Sequence, residues 1–114
     1  MAEKINLLTL TVIASAVIAA ETFVNVGGAN PAQGGNALGV ANFAAGIGDP
    51  LAVQSDGVAI VLSGGAFAKD VPISSDATGK AIAVPGAAPN AIVGRSLDAS
   101  TGAGQRVRIR LIPN

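Results

Sequence analysis

Few side chains in this sequence can do chemistry. Its 114 residues include no His and no Cys. That removes the commonest general base, the commonest metal ligand, the thiolate nucleophile and any disulfide framework. Ser15, Ser55, Ser63, Ser74, Ser75, Ser96 and Ser100 have no imidazole to activate them. Asp49, Asp56, Asp70, Asp76 and Asp98 all fall in turn-forming segments, where a carboxylate usually bonds its own backbone. None lies in a calcium-loop spacing. No catalytic, metal-binding or cofactor-binding residue is assigned, and the chain reads as a non-enzyme.

The glycine-rich signatures fail as well. Gly46-Ile47-Gly48 lacks the third Gly of a dinucleotide loop and opens no helix. Gly79-Lys80 is followed by Ala81, where a phosphate loop needs Ser or Thr. Lys80 can also be read as a carrier lysine on a hairpin tip, as in lipoyl or biotinyl domains. Its neighbours Ala77-Thr78-Gly79 and Ala81 supply neither acidic nor Met-rich flanks. A solvated hairpin lysine is the simpler reading.

One charge pattern remains, Arg106, Arg108 and Arg110. A spacing of two puts them on one face of a strand, with Val107, Ile109 and Leu111 on the other. Such a row is either a solvated sheet face or a set of bidentate partners for carboxylates on a neighbouring protein. Nucleic acid is not an expected partner. Seven basic and seven acidic residues cancel, and no aromatic side chains interleave the arginines.

The elements that must position these residues are short strands. Runs such as Leu51–Gln54, Val58–Leu62, Val71–Ser74, Lys80–Val84, Ala91–Leu97 and Arg106–Leu111 recur every 8–12 residues or so between Gly, Pro and Asp turns. Glu21–Val26 and Ala37–Ala41 read as two more strands, Pro85–Asn90 as a loop, and residues 27–36 as a surface loop. Ser55-Asp56-Gly57 and Asp76–Gly79 read as hairpin turns. Only Ala14–Ala20 and Ala41–Ala45 suggest a turn or two of helix. The expected fold is all-β, a small barrel or sandwich of short strands and hairpins.

Residues Ile5–Ala20 admit three readings. Sixteen residues that include Asn6, Thr9, Thr11 and Ser15 fall short of a membrane span of about 20, so no membrane partner is expected. A secretory signal would use Lys4, then Ile5–Ile13, then Ala14-Ser15-Ala16 as cleavage site, and would make the chain a secreted surface or adhesin domain starting at Val17. The alternation Leu8-Thr9-Leu10-Thr11-Val12 instead predicts a strand, with an unprocessed N-terminus. The preferred division is an extended arm over 1–14 and one barrel-like domain over 15–114. Ile5, Leu7, Leu8, Leu10 and Val12 are then candidate partner contacts, together with Arg106, Arg108 and Arg110.

Composition points the same way. Half the residues are hydrophobic, but only Phe23, Phe43 and Phe67 are aromatic, so the core is expected to be thin. Charged residues make up 12%, against about 25% in ordinary soluble domains, which suggests surface hidden in an assembly.

From Ala37 onward the order of elements resembles the small phage capsid cement, or decoration, proteins of the family labelled DUF2190. The matching pieces are Leu38–Ala41, Ala44–Asp49, Leu51–Val53, Asp56–Ala59, Ser75–Ala81, Ile92–Gly94 and Gly104–Ile109. Arg95 departs from the small or apolar residue expected after Val-Gly, and the Gly/Asn loop at 27–36 is long. The resemblance implies a compact β-barrel or sandwich on the outer surface of an expanded phage head. It implies a trimer that clamps neighbouring major capsid subunits, and no cofactor.

Overall fold

The computed structural model describes residues 5–84 and 92–112, with the backbone alone for 5–7. The start of the arm at 1–4 and the loop expected over 85–90 lie outside the described residues. The chain is all-β. Its eight strands are β1 (Ile5–Ile13), β2 (Phe23–Val24), β3 (Gly39–Ala41), β4 (Pro50–Leu62), β5 (Pro72–Ser75), β6 (Ala81–Ala83), β7 (Gly94–Ser96) and β8 (Arg106–Leu111). They pair in the order β2-β3-β4-β8-β7-β5-β6, with β1 added on β4, and every named strand pair is antiparallel. The sheet curls almost shut. Phe23 N–H donates to Gly79 O at 2.7 Å, and an isolated bridge joins Ser63 to Ala81 of β6.

Two apolar clusters fill the molecule. The first holds Phe23, Val40, Ala59, Val61, Phe67 and Ile73 with the inward row Val107, Ile109 and Leu111 of β8. The second holds Ala14, Ile18, Val24, Ala41, Ala45, Leu51 and Val53. The short strands serve both, one cluster on each face. On β2, Phe23 enters the first and Val24 the second; on β3, Val40 and Ala41 divide in the same way.

The longest strand corrects the sequence reading. Ser55-Asp56-Gly57 is not a hairpin: β4 runs straight through it for 13 residues. Gly57 does adopt the positive φ, 98°, that its pairing with Asp suggests. It spends that freedom on a bulge, and the β1–β4 register shifts on either side of Leu8. The consequence is a change of face. Gln54, opposite Val40, looks toward the first cluster, while odd-numbered Leu51 and Val53 enter the second. Beyond the bulge it is odd-numbered Ala59 and Val61 that enter the first. A slip of one residue exchanges the two faces of a strand, so one strand contributes to both cores. Gln54, 1% exposed, holds the bulge by donating from Nε2 to the carbonyls of Asp56 (3.2 Å) and Val58 (3.0 Å).

Other boundaries shrink. The strands expected over Glu21–Val26 and Ala91–Leu97 reduce to β2 and β7. The helical turns suggested for Ala14–Ala20 and Ala41–Ala45 are absent: both segments bend without forming a helix, and Ile18 bridges Ala45 antiparallel. The Asp76–Gly79 turn forms as expected. Asp76 Oδ1 accepts from the N–H of Thr78 and of Lys80 at 2.9 Å each, and Gly79 has φ 82°.

Candidate functional site

Among the described residues no group of acidic side chains could hold a metal ion, and the candidate site is sought on the surface. Two regions stand out, β1 with its neighbouring loops and the arginine row of β8.

β1 lies antiparallel on β4, from Ile5 opposite Val58 to Ile13 opposite Pro50. Among the described strands none pairs with its other edge. Native edge strands are commonly blunted by a Lys, a Pro or a short length. β1 has none of these; its nine residues are uncharged. Leu10 and Val12 sit opposite Val53 and Leu51 and so share the face of the second core. Val12 packs against that core. Leu8 and Leu10 lie past its cover, 49% and 39% exposed. They line a groove of about 270 Å³ with Ala37, Leu38, Ser55, Asp56 and Ile112. Of the predicted apolar contacts, the structure thus joins Leu8 to Leu10 in the groove and leaves Val12 half-buried against the second core. The side chains of Ile5 and Leu7 lie outside the described residues.

The sequence reading missed a second apolar area. Ile13 at the end of β1 and Val17, Val26, Phe43 and Ile47 on loops are exposed near the Pro50 end of β4. Those loops are stitched by backbone hydrogen bonds: Ala14 N–H to Asp49 O, Ser15 N–H to Gly28 O, and reciprocal bonds between Ile18 and Ala45. The available signal was the lack of charge. Residues 13–20, 25–36 and 42–48 contain no Asp, Glu, Lys or Arg.

Arg106, Arg108 and Arg110 do point to one face, opposite Leu62, Ile60 and Val58 of β4. Two of them are tied within the chain. Arg106 Nε lies 3.1 Å from Glu21 Oε2. Arg108 grips Asp98 with both arms of its fork, Nε to Oδ2 at 3.0 Å and an Nη to Oδ1 at 2.9 Å, and its backbone N–H adds a third bond. These bonds hold the Asp98 carboxyl below its ordinary pKa of 3.8, against the opposing pull of partial burial. Arg95 on β7 joins the face and pairs with Asp70 at 3.1 Å. Glu21 and Asp70 adopt positive φ, 62° and 60°, a conformation uncommon for residues with a side chain. Hydrogen bonds from Glu21 N–H to Ala41 O and from Leu62 N–H to Glu21 O fix the first of these. Arg110 has no ion-pair partner among the described residues.

A small closed β-fold with an open apolar edge and a largely self-neutralised charged face belongs to the class of structural binding modules. The comparisons specify which. The sequence matches the family model described as phage cement protein over residues 2–111, and the chain belongs to that family. It is a structural protein of the phage capsid, located on the outside of the head. The fold is similar to that in the crystal structure of the N base of head fiber gp8.5 of bacteriophage phi29. The TM-score is 0.75 at 16% identity, covering 92% of this chain and 93% of that one. At that identity the likeness establishes the fold. No curated protein gives a significant match. The family favours the capsid role over that of a secreted adhesin.

Proposed function

We propose that the protein binds the major capsid protein on the outer surface of the expanded head and clamps neighbouring subunits by adhesion, catalysing no reaction. It acts as a homo-oligomer, a trimer, and residues 1–14 serve as the arm that reaches a neighbour. The observation that supports this most is β1, whose outer edge pairs with no other described strand and whose Leu8–Leu10 groove is half-open among the described residues. Strand addition fits such a surface: main-chain hydrogen bonds give affinity and alternate side-chain pockets give specificity. Each Å² of apolar surface removed from water contributes about 25 cal/mol, and a ligand that binds only the assembled shell stabilises it by mass action.

The test uses purified expanded heads and the isolated protein. A variant with Leu8→Asp and Leu10→Asp keeps the core residues and is expected to fold, yet to lose most of its occupancy on heads. Undiminished occupancy would remove β1 from the contact. Heads bound as well by a chain lacking residues 1–12 would dispose of the arm.

A further inference from the structure

The strand order leaves the barrel with a seam. Its two ends are β2 and β6, and among the described strands no ladder joins them. One part of β6 is tied to the end of β4, where Gly64 N–H donates to Ala81 O. Toward β2 the closure is one main-chain bond, from Phe23 N–H to the carbonyl of Gly79 at the tip of the β5–β6 hairpin, and one side chain. Asn30 Nδ2 donates to Phe23 O at 2.7 Å and to Thr22 Oγ1 at 3.2 Å. The fit is close: a Cβ on Gly79 would run into Asn30 Nδ2 and Phe23 O. Asn30 belongs to residues 25–36, and this segment is moored at three places. Ser15 N–H donates to Gly28 O (3.0 Å) beside the apolar loops, Asn30 grips β2, and Gly34 N–H donates to Ser75 O (2.8 Å) at the end of β5. The segment therefore links the apolar loops, the seam and the hairpin.

We propose that residues 25–36 form a strap, with Asn30 as its clasp, that shuts the barrel at the β2–β6 seam, and that strap and seam loosen together while the rest of the barrel stays folded. The inference does not rest on the cement role. Its reason lies in how the strap is held. Residues 27–36 contain no Val, Ile, Leu, Met or Phe, so little apolar area anchors them. Their hold is by hydrogen bonds, each of which nets little against water. The strands of the two cores are held by burial instead. A segment with few buried apolar contacts opens at a lower free energy than the whole molecule. The one large apolar side chain of the strap is out in solvent. Val26, 78% exposed, stands on a turn closed by Asn25, whose Oδ1 accepts from the N–H of Gly27 (3.0 Å) and of Ala29 (3.1 Å). Part of the apolar area at the Pro50 end of β4 thus rides on the strap, and it can change position without unfolding the barrel.

Native-state hydrogen exchange of the full chain, over a range of urea below the unfolding transition, tests this. The amides of Ser15, Phe23 and Gly34 are expected to share one opening. It should be about tenfold or more favoured over the global unfolding that the β8 amides report, and shallower in urea because less surface is exposed. Two variants separate the strap from the cores. Asn30→Ala weakens the closed state against both kinds of opening, so it should speed the strap and β8 amides alike, by about five- to tenfold. Ile109→Val, in the first core, should speed the β8 amides and leave the strap amides unchanged, because that core survives the opening of the strap. Strap amides that match β8 in opening and urea slope overturn the proposal, as do strap amides that answer Ile109→Val as β8 does. Three unrelated openings at Ser15, Phe23 and Gly34 overturn it too. Unchanged exchange of Phe23 in Asn30→Ala removes the clasp and with it the proposal. Should Asn30→Ala fail to fold, the wild-type urea series and Ile109→Val decide.

Discussion

On the arginine face Arg95, Arg106 and Arg108 are tied down within the chain, and only Arg110 has no ion pair among the described residues; along β1 and the loops at the Pro50 end of β4 outward apolar side chains stand open. Arg106, Arg108 and Arg95 each hold a carboxylate, from the loops before β2, between β7 and β8, and before β5 respectively. Leu8, Leu10, Val17, Phe43 and Ile47 by contrast stand open to solvent on a backbone that is itself well bonded. The contrast separates two uses of surface. Exposed charge already paired within the chain yields little on association. Uncovered apolar area is where association gains free energy. A cement protein needs the second kind, and this chain concentrates it beside an unblunted strand edge.

The sharpest way to break the comparison is at the join between the two halves. Gly39 sits where an added Cβ would fall 1.9 Å from Gln54 O, so Gly39→Val should prevent β3 from pairing with β4 and leave no folded protein by circular dichroism. Next in size, Phe23→Ala in the first core should cost about 3–5 kcal/mol in urea unfolding. Gln54→Ala removes both donors that hold the bulge. It should cost about 2–4 kcal/mol, since two carbonyls lose their partner and a small void opens.

Smaller effects sharpen the comparison. Asp98→Asn should cost about 1 kcal/mol at neutral pH by replacing a charge-assisted fork with a neutral contact. The pH dependence has a fixed sign. The folded Asp98 carboxyl titrates below 3.8, so its contribution is present above that pH. It is lost as pH falls through the lower folded value; thermal melts from pH 6 to pH 2 should show a steeper acid decline in wild type than in the Asn variant. Smallest of all, Leu10→Ser on the open half should change stability by less than about 0.5 kcal/mol. A larger loss would mean that Leu10 belongs to the second core, and the distinction between the halves would weaken.

Much of the fold was legible because its signals are local. The alternation over Leu8–Val12 gave β1 as a strand, that over Arg106–Leu111 gave β8 with its inward row, and Asp76–Gly79 gave its turn. The hairpin at Asp56-Gly57 was misread for a physical reason. A glycine at positive φ serves a hairpin and a bulge equally well, and the choice is made by β1, β3 and β8 pairing with β4 on both sides of it. Those pairings are distant in sequence. The arginine row was visible, but its partners were not: Glu21 lies 85 residues from Arg106. The exposed loop residues Val17, Val26 and Ile47 sit in stretches whose only mark is missing charge, and lack of charge does not say whether a side chain is inside or out.

The central claim is that the open half of this barrel is closed by the phage head. Hydrogen exchange of the amides of β1, compared between free protein and protein bound to expanded heads, tests it most directly. The account predicts that β1 amides facing the uncovered edge exchange readily in the free protein and become strongly protected on heads. Bound protein whose β1 exchanges as fast as in solution, with protection confined elsewhere, would contradict it.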